Sequence, residues 1–242
     1  MEFCEFEALF CRSMQENGLK IPEKDVIDRF WRFDMLLHKV NAITNLTAIR
    51  NTPEAISKHY IDSLLAAEHL PKGACVLDIG CGPGFPSVPL AIYRSDLTVV
   101  ALDSTAKKIA FVDRAIAELG LPNLKALSGR AEDKKIAETL GFFDVVVSRA
   151  VARMNVLCEL CLPYVKTGGF LLAMKASKAE EEASEAKTCI QMLGGGKTEL
   201  IHKDLSHLDG VSDPRCLIRV EKLRKHPSGY PRAYAQILKK PL

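Results

Sequence analysis

The chain of 242 residues is 48% hydrophobic and 26% charged, enough apolar material for one α/β domain with a small addition. Glu2, Glu5 and Glu7 interrupt the N-terminus where a secretory leader needs a basic and then an apolar stretch. No run of about eighteen apolar residues occurs, which excludes a helical membrane span, and a cytoplasmic location is expected. The net charge of +3 is uneven: from Lys222 onward there are Lys222, Arg224, Lys225, Arg232, Lys239 and Lys240 and no acid, leaving 27 basic against 30 acidic residues elsewhere.

In chain order, FCEFEALFCRSMQENG is amphipathic and predicts a first helix stopped by Gly18. Pro22 suits the first position of a second, along which Val26, Ile27, Phe30, Phe33, Leu37 and Val40 recur at helical spacing. After the polar NAITNLTAIRN, Thr52 reads as an N-cap before Pro53, opening a helix to about Leu70. Residues 1–52 are thus read as a helical N-terminal extension, and 53–242 as the main domain with a basic C-terminal tail over 222–242.

From Ala74 the texture changes to β-rich runs separated by helices. Strands are predicted at Cys75–Ile79, Thr98–Leu102, Leu124–Ser128, Phe143–Ser148 and Gly169–Lys175. Among the helices, Thr105–Leu119 is bounded by Ser104 as cap and Gly120 as stop. After a helix around Lys178–Leu193, Leu200–Leu205 and Arg215–Arg224 make seven strands in all. The fold class is α/β, a doubly wound parallel sheet with crossover helices on both faces. Eight cysteines are too dilute for a disulfide scaffold. Cys158 and Cys161 share one apolar helix face with no second pair or histidine nearby, so buried thiols rather than metal ligands are expected.

The most informative stretch is LDIGCGPGFPSVPLAI, following the first strand, where ligands of such sheets sit. A Walker A loop is excluded because no lysine follows Gly84. A dinucleotide fingerprint would need a small third residue where Phe85 stands, and Pro83 and Pro86 lack the N–H groups a pyrophosphate requires. A thioredoxin-type site would need a cysteine at Gly84. Asp78, Gly80, Gly82 and Gly84 instead give D-x-G-x-G-x-G, the pattern of S-adenosyl-L-methionine (AdoMet) sites in class I, Rossmann-like methyltransferases. AdoMet carries no phosphate and needs close approach to backbone, which glycine permits. Asp103, ending the second strand, is placed to accept from both ribose hydroxyls.

From about Asn41 onward the sequence resembles the RsmG (GidB) family, which methylates N7 of a guanine in the 530 loop of 16S ribosomal RNA. The resemblance rests on NAITNLTAI, KHYIDS, LDIGCGPGFPSVPLAI, ALDSTAKKIAFV, GRAED, SRAVARMNVLCELCLPYV, LLAMKA and YPRAYAQILKKPL. It implies that Gly80 and Phe85 contact AdoMet, that Ala131 and Glu132 lie against the adenine, and that Arg149 lines the cofactor or target pocket. The family usually has tryptophan at the position of Val40, and often glycine and proline where Ala235 and Ile237 stand.

SRAVA follows the fourth strand, so neither a [DN]PPY-type motif nor a Pro-Cys nucleophile is present there. That suits guanine N7, whose in-plane lone pair needs neither a general base nor covalent activation. Catalysis then reduces to positioning, worth about 7–11 kcal/mol at best. The target must be a loop or flipped base, because the A-form major groove is too deep and narrow to reach. Lys222, Arg224, Lys225, Arg232, Lys239 and Lys240, with Tyr230 and Tyr234 interleaved, are read as the contacts to 16S rRNA or a small-subunit particle. Deleting the chain after Lys225 is expected to weaken RNA binding and spare AdoMet affinity. His59 and Asn45 are further candidates for the pocket, and a monomer without a protein partner is expected. Less favoured alternatives are a class I methyltransferase acting on protein or a small molecule, an NAD-dependent oxidoreductase, and a non-catalytic RNA-binding protein.

Overall fold

In a computed structural model describing residues 1–242, the apolar runs form β1 (Cys75–Ile79), β2 (Thr98–Asp103), β3 (Leu124–Ser128), β4 (Phe143–Arg149), β5 (Val165–Lys175), β6 (Gly195–Ser206) and β7 (Ser212–Lys222). They make one seven-stranded sheet in the order β3-β2-β1-β4-β5-β7-β6. β1 to β5 are parallel, but β7 runs antiparallel to both β5 and β6, so the sheet is mixed. The all-parallel expectation fails there for a physical reason. Only residues 207–211 join β6 to β7, whereas a parallel pair needs a crossover of a dozen or more.

The helices are α1 (Phe3–Glu16), α2 (Lys24–Thr44), α3 (Thr52–Ala55), α4 (Asp62–Leu64), α5 (Ser87–Tyr93), α6 (Ala106–Leu119), α7 (Lys134–Leu140), α8 (Met154–Cys161), α9 (Ala179–Glu185), α10 (Lys187–Met192) and α11 (Tyr234–Lys239). Alternation along the strands divides the core into two layers. Val76, Val99, Val145 and Leu172 face a cluster of 44 buried residues shared with α1, α2, α5 and α6. Leu77, Leu102, Val146 and Leu171 face a second cluster, shared with α8, α10 and α11. The N-terminal helices therefore join the first layer directly, and Val40 is one of the side chains packed against it.

Several local expectations are adjusted. Pro22 precedes its helix, whose first residue is Lys24. Asn51, not Thr52, is the N-cap before Pro53, accepting from the Glu54 N–H at 2.9 Å. Thr52 Oγ1 instead donates to the buried Asp34, which also accepts from Tyr60 and so joins α2 to the next helical segment. Between α3 and α4 the chain forms a π-helical turn, Ile56–Ile61, and a 3-10 turn at Ala67–His69 precedes Leu70. Thr105, not Ser104, precedes α6, and Gly120 ends it in the left-handed conformation. The stretch after Lys178 divides at Ala186 into α9 and α10. In the tail, α11 forms where Ala235 and Ile237 replace glycine and proline, and Ile237 is fully buried.

Candidate functional site

The carboxyl ends of β1, β2 and β4 open onto two adjoining cavities. The smaller, about 310 Å³, is lined by Gly80, Gly82, Asp103, Gly129, Ala131, Glu132, Leu160 and Tyr234, among others. The larger, about 720 Å³, has Phe85, His59, Asp62, Arg149 and Arg215 in its wall. Gly80, Gly82, Lys108, Ala150 and Val151 border both.

Every N–H from Gly80 to Ser87 is engaged internally or missing. Gly80 and Cys81 donate to the Leu102 carbonyl, Gly82 to Asp103 Oδ2 at 2.9 Å, and Gly84 and Phe85 to the Cys81 carbonyl. Pro83 and Pro86 have no N–H, and that of Ser87 donates to Asp78 Oδ2. The turn thus offers no free backbone donor to a phosphate, in contrast to dinucleotide and P-loop turns. Gly80 has φ of +77°. A Cβ there would also collide with Val151, so the residue must be glycine to bring the turn this close to the segment after β4.

Two sequence-predicted contacts lie behind the turn instead of on the cavity wall. Asp78 is fully buried under α5, held by the Ser87 hydroxyl and N–H, and its other oxygen, Oδ1, has no partner. Burial pushes its carboxyl up to about 7, against the two Ser87 hydrogen bonds that favour the charged form. Gly84 lines neither cavity; a Cβ there would run into Val88 of α5, so its role is helix packing. Asp103 is on the wall, with Oδ1 accepting from Thr105 N at 2.8 Å. Ala131 and Glu132 are there too, and the Ala131 carbonyl is fixed by the Tyr164 hydroxyl.

Phe85 and Arg149 belong to the larger cavity. The Phe85 ring stacks on His59 with centroids 4.2 Å apart and planes at 13°. Arg149 lies 5.4 Å from the Phe85 ring centroid and donates to Asp62 Oδ2 (2.7 Å) and the Lys58 carbonyl (2.8 Å). Asp62 Oδ1 accepts from Arg215 Nε at 2.7 Å, so one nearly buried carboxylate orients two arginines at the cavity. His59 Nε2 is 2.9 Å from Thr47 Oγ1, and its Nδ1 is 3.4 Å from Arg149 Nη2. Burial, and then the Arg149 charge, push the His59 imidazole down to about 3. It is therefore neutral near pH 7, with Nδ1 facing a guanidinium that can only donate.

Sequence reasoning named His59 for the pocket but missed Asp62, Arg215 and Thr47. The quoted KHYIDS contains Asp62, yet nothing local signals that its partner stands beyond β6. Asn45, the other candidate, is a left-handed helix stop at φ 51°, accepting from Arg50. Asn41, buried, accepts from Leu46 and Thr47 N–H groups and donates to the Thr47 and Ile49 carbonyls, folding the loop that presents Thr47 to His59.

The tail differs most from expectation. Lys222 is only 2% exposed and donates to the Leu162 and Leu193 carbonyls at 2.8 and 2.7 Å, so its ammonium cannot reach an RNA phosphate. Burial pulls that amine down to about 8. Arg232 is paired with Glu159, the Tyr230 hydroxyl meets Met192 Sδ, and Tyr234 faces the smaller cavity. Arg224, Lys225, Lys239 and Lys240 remain on the surface.

Comparison with known proteins decides the family. The family model described as GidB, rRNA small subunit methyltransferase G, matches residues 27–208. The chain belongs to this family. A ribosomal RNA small subunit methyltransferase G of Lachnoclostridium phytofermentans is 40% identical over 238 residues, 96% of each chain. The family member of that name from an Exiguobacterium species is also 40% identical, over 98% of this chain and 99% of its own. Among solved structures, an O-methyltransferase of Bacillus cereus in complex with SAH matches at TM-score 0.57 and 18% identity, over 91% of this chain and 100% of its own. TYW2 of M. jannaschii in complex with AdoMet matches at TM-score 0.54 and 16% identity, over 67% and 75% respectively. These two show the class I methyltransferase fold.

The family's cofactor is AdoMet, and the residues present fit it. The smaller cavity offers a carboxylate for a diol at Asp103, apolar walls at Ala131 and Leu160 for a heteroaromatic ring, and a glycine turn without phosphate donors. The unpartnered Asp78 Oδ1 adds an acid just beneath that turn, suited to a cationic ligand.

Proposed function

We propose that this chain transfers the methyl group of AdoMet to N7 of a guanine in the 530 loop of 16S ribosomal RNA. Family membership supports rRNA as the substrate. The observation that carries the chemistry is the larger cavity, which holds a stacked Phe85–His59 pair, with the imidazole kept neutral near pH 7 by burial and the Arg149 charge, and two arginines oriented by Asp62. AdoMet supplies an electrophilic methyl on its sulfonium. The protein's part is to bind, orient and exclude water.

Arg149 and Arg215 are fixed by Asp62, so they present donors without reorganising when a nucleotide enters. Such donors suit guanine O6 or a flanking phosphate. Lys58, Lys108 and Arg153 at the cavity rim supply further positive charge for the RNA backbone, joined by the exposed tail cations. We place the protein in the cytoplasm, acting as a monomer on the RNA or on a small-subunit particle.

The test is transfer of labelled methyl to small-subunit RNA, naked and in particles, with the modified nucleoside identified. The expected product is 7-methylguanosine in the 530 loop; any other nucleoside overturns the assignment. With both substrates saturating, kcat is expected to stay flat from about pH 6 to 9, because His59 remains neutral throughout. A steep bell in that range would show that an acid or base acts in the transition state.

A further inference from the structure

Glu159 of α8 is fully buried, and such a carboxylate is tolerated only with its hydrogen bonds filled. All of its partners come from one residue of the tail. Arg232 donates its backbone N–H to Oε1 at 2.9 Å, Nε to the same oxygen at 2.8 Å, and Nη2 to Oε2 at 2.6 Å. This is a bidentate pair reinforced by a main-chain bond, a geometry that fixes direction as well as distance. Arg232 Nη2 also reaches the Lys240 carbonyl at 3.1 Å, so the two ends of α11 are tied to one guanidinium. Five residues beyond Arg232, Ile237 inserts into the second core layer with no exposed surface.

Tyr234 lies between these anchors, one helical turn before Ile237, in the wall of the 310 Å³ cavity. Asp103, Glu132 and Leu160, the last next in sequence to Glu159, line the same cavity. One helix therefore supplies both an apolar wall residue and the acid that holds the tail.

We propose that Tyr234 is a binding residue for the adenosine part of AdoMet, and that the Glu159–Arg232 pair is the positioning device that holds it at the cavity. This rests on the cavity being the AdoMet site. An aromatic ring, the apolar Leu160 and Ala131 and a carboxylate suited to a ribose diol, all lining one cavity, match a ligand with a flat heteroaromatic ring on a sugar. The tail is then part of the cofactor site, and its removal costs AdoMet affinity, contrary to the expectation from charge alone.

The test measures dissociation constants of the full chain for AdoMet, S-adenosylhomocysteine and 5′-methylthioadenosine, which keeps the adenosine and lacks the amino-acid part. Tyr234→Ala is expected to weaken all three about tenfold, Tyr234→Phe to bind within about twofold of wild type, and Arg232→Gln to resemble Tyr234→Ala. Limited proteolysis of the wild-type chain supplies a readout independent of any variant. S-adenosylhomocysteine is expected to slow trypsin cleavage after Lys225 and Arg232, since a ligand that holds the tail must be held by it in return. Unchanged affinities in Tyr234→Ala, or tail cleavage indifferent to ligand, would overturn the proposal. No RNA is present, so that failure leaves the rRNA reading standing, whereas failure of the wild-type chain to bind AdoMet would remove the cofactor site itself.

Discussion

Gly80–Ser87 and the tail segment Tyr230–Lys240 border the same cavity, yet they are held in opposite ways. The turn is fixed by its own backbone N–H groups, which donate to the Cys81 and Leu102 carbonyls and to the Asp103 and Asp78 carboxylates. The tail is fixed by side chains reaching elements far back in the chain, with Arg232 meeting Glu159 across 73 residues. A wall whose own backbone groups make the bonds is broken most directly by changing its conformation. A wall held by side chains can be released by one substitution elsewhere and still remain folded as a segment. The first arrangement gives an invariant surface; the second gives a surface whose position depends on a separate equilibrium.

The largest expected effect falls on the turn. Gly80→Ala forces an alanine to φ +77° and drives its Cβ into Val151. Backbone strain plus a collision at a buried turn is expected to cost about 2–4 kcal/mol of stability by denaturant unfolding. Calorimetry on the remaining folded protein is expected to show AdoMet affinity reduced by more than about 100-fold. Retained affinity would mean that the turn is as adjustable as the tail.

The next effect is a pH dependence located at the turn alone. Asp78 is held near 7, above the usual carboxylate range, so between its unfolded value and about 7 the folded chain takes up a proton that the unfolded chain does not. Stability therefore falls as pH rises from the unfolded value to about 7 and is level above it, while the charged form favours a cationic ligand. AdoMet affinity is expected to fall up to about tenfold from pH 8 to pH 6, as the ionised fraction drops. The fall should be smaller for S-adenosylhomocysteine, which lacks the sulfonium charge, and should disappear in Asp78→Asn. An equal slope for both ligands would assign the titration to another group.

The smallest effect separates two kinds of lysine within the tail. Replacing exposed Lys225, Lys239 and Lys240 together with alanine is expected to weaken RNA binding about fivefold and to reduce the salt slope by roughly 2. Lys222→Met is expected to change neither, because that ammonium already lies between the Leu162 and Leu193 carbonyls. If Lys222→Met behaved like the exposed set, the tail would have to leave its site to meet RNA.

The same contrast explains what could be read from the sequence. The strands, the glycine turn and Asp103 were legible because their signals are local: apolar runs, glycine spacing, and an acid at a strand end. The tail was read from charge, and charge alone does not say where an ammonium goes. Lys222 and Arg232 look like any other basic residues until Leu162, Leu193 and Glu159 are brought beside them by the sheet. Asp62 escaped for a related reason, since its second arginine, Arg215, is 153 residues away. The antiparallel β7 was hidden because strand direction is set by the length of the connection, not by the strand's composition.

The π-helical turn at Ile56–Ile61 places a different kind of demand on this chain. Such a turn holds one residue more than the α-helical turn it interrupts. His59 lies within it, and Asp62 follows at once. A chain one residue shorter there would close into a regular helix and turn one of the two away from the cavity by about 100°. Over these six residues the tolerance for a changed side chain is wider than the tolerance for a changed count, so a single-codon deletion would be more damaging than most missense changes.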